Sequence, residues 1–149
     1  MKIGIDRELK GGYILLVELT RTCRIRVGAL EKIEFPQGFY AYVGSAMGGL
    51  QARLNRYLRR VKRARWHIDY LLMEGKVKGV IYSPTDERLE CLLAHRLKEI
   101  FRSFPGFGSS DCRCPSHLFF SEELKVLREE AKEIFRDLLK GEEPVVEEW

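Results

Sequence analysis

A chain of 149 residues, 45% of them hydrophobic, is long enough to bury one domain core without staples. Its apolar run from Tyr13 to Leu19 is too short to span a bilayer, Met1 to Lys10 is too mixed and charged for a signal peptide, and four scattered cysteines do not make a secreted disulfide scaffold. The expectation is a cytoplasmic protein with reduced thiols or a metal site, whose net charge of +4 is unevenly spread: 21 Lys/Arg against 12 Asp/Glu over residues 1–120, then 5 against 10 over 121–149.

In chain order, Gly12 to Leu19 reads as a strand. Cys23 to Val27 reads as its hairpin partner across Thr20-Arg21-Thr22, with Cys23, Ile25 and Val27 alternating against Arg24 and Arg26. Phe39 to Val43 is a third strand. Gly44, Gly48 and Gly49 then loosen the backbone before a helix from Leu50 to Lys62, with Leu50, Leu54, Tyr57, Leu58 and Val61 on its apolar face. Trp66 to Met73 is predicted as a short helix and Val77 to Tyr82 as a fourth strand. Asp86 to Phe101 follows as a helix with Thr85 at its N-cap. A Gly/Ser/Cys/His loop over 105–117 leads to a short edge strand at Leu118 to Phe120, a C-terminal helix over 121–140 and a mobile acidic tail over 141–149. Together these predict a single α+β domain over 1–140: a small central antiparallel or mixed sheet flanked by helices, with a C-terminal helix.

No acidic residue occurs between Glu34 and Asp69, while Arg53, Arg56, Arg59, Arg60, Lys62, Arg63 and Arg65 crowd into that interval. A solvated helix face usually carries compensating acids four residues away. Without them the stripe reads as a footprint for a polyanion, since each neutralised phosphate releases condensed counterions. Only three Asn and Gln residues (Gln37, Gln51, Asn55) accompany 32% charged residues, which leans towards a thermophilic source.

Glu90 is the chemical anomaly. At about 100° per residue it points into the stripe formed by Leu89, Leu93, Leu97, Ile100 and Phe101. A carboxylate there needs an ion pair or a cation, and its hard oxygens suit Mg²⁺ or Mn²⁺. Tyr13 and Tyr42 are ordinary strand aromatics unless a neighbouring cation, Arg53 or a metal, depresses their pKa. Arg53, one turn before Tyr57, is placed to grip a phosphate bidentately. His67 is a candidate general acid or base, or an ordinary core or surface histidine. Cys112, Cys114 and His117 have zinc-compatible types, with Cys91 or Cys23 as a fourth ligand, but not a standard finger spacing. The favoured reading is a loop that packs on the core, with Ser109, Ser110 and Asp111 shaping the site; a disulfide is a further alternative.

Gly12-Tyr13-Ile14, Tyr42-Val43-Gly44, Arg53, Tyr57 and Glu90, in this order, resemble the GIY-YIG nuclease superfamily over about residues 11–100. Tyr42-Val43-Gly44-Ser45-Ala46, Trp66-His67-Ile68-Asp69-Tyr70, Glu90-Cys91-x-x-Ala94 and Gly106-Phe107-Gly108-Ser109-Ser110-Asp111-Cys112-x-Cys114-x-x-His117 are most similar to its Uri-type branch of small proteins. The resemblance implies tyrosines on two neighbouring strands, an arginine on the first helix and a glutamate holding one divalent metal. Three departures stand out: the isoleucine follows Tyr13, Ser45 stands where many relatives carry a lysine, and a late asparagine has no counterpart.

The implied activity is metal-dependent hydrolysis of nucleic-acid phosphodiesters, DNA more than RNA, with one Mg²⁺ or Mn²⁺ on Glu90 and a protein partner in DNA repair as a further expectation. Tyr13, Tyr42, Arg53, Tyr57, His67 and Glu90 would carry the chemistry. Ser45, Arg56, Arg59, Arg60, Lys62, Arg63 and Arg65 would hold the strand. The alternative is a nucleic-acid-binding module that uses the same basic surface without cutting.

Overall fold

The structure, a computed structural model, describes residues 3–60, 63–109 and 112–149. Among the described residues, eight strands and four helices follow the order β1 (Gly11–Leu19), β2 (Cys23–Arg26), β3 (Lys32–Phe35), β4 (Gly38–Ala46), α1 (Leu50–Leu58), α2 (His67–Leu72), β5 (Lys76–Pro84), α3 (Glu90–Lys98), β6 (Arg102–Ser103), β7 (Leu118–Ser121), α4 (Leu124–Leu138) and β8 (Val145–Glu148). The expected α+β architecture is present: a six-stranded antiparallel sheet in the order β6-β7-β4-β1-β5-β8, and a separate β2-β3 pair.

β1 explains the layering. Alternate residues of this strand enter two separate cores. Tyr13, Leu15 and Val17 face Leu50, Leu54 and Tyr57 of α1, Ile68 and Leu71 of α2, and Phe104 and Phe107. Ile14 and Leu16 face Leu89, Leu93 and Leu97 of the α3 region together with Leu127, Ala131, Ile134 and Phe135 of α4. A strand apolar on both faces has to lie in the middle of a sheet, with a layer on each side.

That requirement overturns the predicted β1–β2 hairpin. β1 pairs with β4 and β5, whereas β2, which carries Arg24 and Arg26, pairs with β3 through Cys23↔Phe35 to Arg26↔Lys32. β4 also runs on through Gly44 to Ala46, so the backbone stays extended where loosening was expected.

Three further expectations change. α1 stops at Leu58, so Arg59 and Arg60 follow the helix, and Val61 and Lys62 lie outside the described residues. α3 starts at Glu90, because Thr85 Oγ1 takes the Glu87 N–H in a turn before the helix. β7 is an inner strand, covered by β6. The acidic tail, expected to lack structure, forms β8 on the edge of β5, with Glu148 2.9 Å from Arg128 and Glu143 2.5 Å from Arg136. Cations on α4 thus supply partners for the acids of the tail. Among the described residues no helix is long and apolar enough to cross a membrane.

Candidate functional site

One end of the β1–β4 pair opens into a cleft of about 480 Å³ between the α1–α2 layer and the start of α3. The antiparallel register sets Tyr13 opposite Gly44 and Leu15 opposite Tyr42, so both tyrosines rise from the same face. Gly44 has to lack a side chain, since a Cβ there would strike the Tyr13 ring. Arg53 and Tyr57, one turn apart on α1, come down onto this pair. The Tyr13 and Tyr57 hydroxyls share a 2.5 Å hydrogen bond, and Arg53 Nη1 donates to Tyr13 Oη at 3.4 Å. Tyr42 meets Tyr57 edge-on, with ring centroids 6.4 Å apart. The predicted tyrosine–arginine cluster is therefore one contiguous group.

Its electrostatics differ from the expectation of an arginine-activated phenol. Burial pushes Tyr13 up, and Arg53 and the Tyr57 hydrogen bond only oppose it. Tyr42 and Tyr57 are raised as well, with burial again the first cause. Arg53 alone does not overcome the loss of solvation, so all three phenols are protonated at neutral pH.

Glu90 enters the same cleft from the first turn of α3. The predicted stripe is broken: Leu89, Leu93 and Leu97 are buried, but α3 ends at Lys98 and Ile100 is 49% exposed. Glu90 consequently faces the cleft wall instead of the α3–α4 core. Its Oε2 is buried without a hydrogen-bond partner, and no ion pair to Glu90 forms among the described residues. Ser45 fixes its backbone, because Ser45 Oγ accepts from the N–H groups of Leu89 (3.0 Å) and Glu90 (3.3 Å). A serine read as a strand contact is thus a cap for α3 delivered from β4.

The basic stripe divides. Arg56 is engaged by Asp69: two 2.8 Å hydrogen bonds join the guanidinium to both carboxylate oxygens, and Arg65 N–H and Trp66 N–H complete the set at 2.8 and 2.9 Å. Burial raises the Asp69 pKa, but Arg56 and the two backbone donors override it and hold the carboxyl below its ordinary range. Arg56 and Arg53 also lie over the Trp66 ring, at 4.0 and 4.9 Å from its centroid. Arg65 and Arg88 line the cleft, Arg59 and Arg60 line a neighbouring pocket that includes Trp149, and Arg63 is exposed.

His67 Nδ1 accepts the Gly108 N–H at 2.8 Å, and its Nε2 lies beside Gly28. This histidine fastens the 105–117 loop to α2. Gly108, at φ 71°, occupies the left-handed region and packs where a Cβ would strike Tyr42. The loop does pack on the site, as expected; Ser109 is buried in it, and Ser110 and Asp111 lie outside the described residues.

At the end of the loop, Cys91, Cys112, Cys114 and His117 converge, with one ligand atom from each within 4.8 Å of all the others, and Cys112 and His117 also line the cleft. This Cys₃His cluster could hold a metal ion. Cys91 and Cys114 also sit at disulfide distance, with Cα atoms 6.0 Å apart. Cys23 is elsewhere, at the start of β2, its thiol donating to Arg21 O just before the strand. Burial lowers the His117 pKa, opposed by the charge of Glu90 and a hydrogen bond with the Gly108 backbone, so the imidazole is neutral.

Sequence reasoning missed the structural use of Asp69 and the presence of Arg88 in the cleft. Asp69 had a signal, being the first acid after a long basic interval. Arg88, two residues before Glu90, had none.

Fold and site together define a class: an α+β protein whose central antiparallel sheet ends in a cleft of tyrosines, arginines, one unpartnered carboxylate and a thiol–imidazole cluster. The chain belongs to the family described as "Domain of unknown function DUF123", whose model matches residues 12–140. No curated protein and no solved structure matches it significantly.

Proposed function

We propose that this protein is a metal-dependent endonuclease of the GIY-YIG type, of the Uri branch, hydrolysing nucleic-acid phosphodiesters and DNA in preference to RNA. The observation that carries the reading is Glu90 Oε2, a buried carboxylate oxygen without a partner, in the same cleft as Arg53 and the tyrosine cluster. Leaving such an atom unpaired costs about 1–3 kcal/mol, a cost that a bound cation would remove.

The donor set fits one hard cation. Glu90 would hold Mg²⁺ or Mn²⁺, which would supply Lewis-acid stabilisation of the leaving oxygen. Arg53, with Arg65 and Arg88 at the rim, neutralises the phosphate and the charge that grows on it in the transition state. Tyr13 would act as the base in its phenolate form, a minor species at neutral pH because burial raises its pKa, and the Arg53 hydrogen bond to its hydroxyl oxygen offsets part of that cost. Tyr57 orients that oxygen through the shared hydrogen bond, and Tyr42 with Gly108 closes the floor. Arg59, Arg60 and Arg63 extend the positive surface for the flanking strand.

The test is cleavage with Mg²⁺ or Mn²⁺ of labelled single-stranded, duplex, abasic and flapped DNA and matched RNA, wild type beside Glu90→Ala. Cutting that needs the metal and vanishes in the variant, with binding retained, supports the nuclease. Salt-sensitive binding without any cutting overturns it in favour of a non-catalytic binding module.

A further inference from the structure

We infer that Cys91, Cys112, Cys114 and His117 form a Zn²⁺ site, separate from the Glu90 oxygen and built to join the first turn of α3 to the loop before β7. Such a site would stand whether or not the cleft cuts nucleic acid.

Most of the donor spacings suit the ion; the exception is Cys91 and Cys114, whose sulfurs lie at disulfide distance and would have to part to admit it. With Zn–S near 2.3 Å and Zn–N near 2.0 Å, a tetrahedral site has ligand–ligand edges of about 3.5–3.8 Å. Cys112 Sγ and His117 Nε2 are 3.3 Å apart, and all four ligand atoms lie within 4.8 Å of one another. Cys114 and His117 are each 6% exposed, so two of the donors are already withdrawn from water.

Their number suits it too. A disulfide uses two sulfurs, and three converge here. If Cys91 and Cys114 were oxidised, the Cys112 thiolate would stand beside the bond and attack it, forming a new S–S bond and expelling one of the original sulfurs as thiolate. A disulfide also leaves His117 Nε2 with only a thiol for company. One tetrahedral ion satisfies three thiolates and one neutral imidazole together, whereas no pairing of the sulfurs does.

The placement gives the ion a structural task. Cys91 belongs to α3, while Cys112, Cys114 and His117 come from the irregular segment between β6 and β7. Among its described residues that segment lacks helix and strand and is held by turn hydrogen bonds, Gly106 N to Pro115 O, Phe107 N to Phe104 O, Cys112 N to Ser109 O and His117 N to Phe107 O, and by Val43 N to His117 O. An ion ligated from both sides closes the loop against the helix, and the residue it anchors, Cys91, directly follows Glu90. Soft thiolates select zinc here, and the lone hard carboxylate beside it selects a different ion.

The experiment uses the full chain purified under a phosphine reductant. Elemental analysis is expected to find one zinc per chain. Exchange with Co²⁺ is expected to give the intense visible bands of tetrahedral thiolate coordination. Cys112→Ser should weaken Co²⁺ binding more than about 100-fold, since loss of even an outer-shell partner costs about 10–100-fold. Cys23→Ser should leave the spectrum unchanged. Reduced wild-type protein that binds no Co²⁺ overturns the site, as does a Cys112→Ser variant that binds it at full strength. If that variant fails to fold, wild type alone decides the matter, because the cobalt spectrum itself reports thiolate ligation.

Discussion

Replacing Asp69 by Asn should loosen the basic wall of the cleft. Asp69 is 0% exposed and receives four hydrogen bonds, two from Arg56 and two from backbone N–H groups. An amide keeps one acceptor oxygen: with its NH₂ in the place of Oδ1 one Arg56 contact is lost, and in the place of Oδ2 the other Arg56 contact and both backbone contacts are lost. Charge-assisted hydrogen bonds contribute about 1.5–3 kcal/mol each, and breaking a buried pair from one side costs about 3–5 kcal/mol. The Arg56 side chain retains 23% exposure, so water softens the loss of its partner and about 3 kcal/mol is expected at pH 7. The folded-state pKa of Asp69 lies below its unfolded value near 3.9, so the stabilisation is complete above about pH 4 and disappears as pH falls through the folded value. Urea unfolding, which leaves charge pairs unscreened, should be followed by tryptophan fluorescence at pH 7 and between pH 5 and 3. Wild type, Asp69→Asn, Arg56→Met and the double variant make the cycle. A loss under about 1 kcal/mol at pH 7, the range of surface pairs, refutes the clamp. So does a gap between wild type and Asp69→Asn that stays constant down to pH 3.

Other consequences are separable. Glu90→Ala, measured without divalent cations, should melt at or above the wild-type temperature, because it removes an unpartnered buried oxygen; calorimetry showing a clear drop would point to a structural partner for Glu90. Gly44→Ala should destabilise by about 1–3 kcal/mol by displacing the Tyr13 ring, and in the nuclease reading it should depress kcat; a wild-type melting curve would show that the ring yields freely. With Tyr13 raised above its ordinary pKa, log kcat/KM should climb with pH at a slope near one from about pH 7 to 9, and a plateau through that range would remove Tyr13 as the base.

Much of the fold and part of the site are legible along the chain, because the signals are local. β1 announces itself by its unbroken apolar residues, and α4 by its helical spacing. The order of Tyr13, Tyr42, Arg53 and Tyr57 is enough to suggest a common cleft, which the β1–β4 register and one helical turn then bring about. Glu90 is legible as an anomaly, though for a stripe that α3 ends too early to complete.

What stays hidden is decided by pairings between distant segments. Nothing in Cys23 to Arg26 reveals β3 as its partner, and nothing in the last residues reveals that β5 needs an edge strand there. Ser45 becomes a helix cap only because β4 ends beside α3, 44 residues further along the chain. Arg56 is held by a carboxylate only because α2 turns Asp69 towards it. Likewise Cys91 joins Cys112, Cys114 and His117 through the approach of α3 to the loop before β7. Local periodicity determines which face a side chain takes. Which partner it meets, and therefore whether a charge binds a ligand or holds two helices together, is set by the one packing that buries both faces of β1.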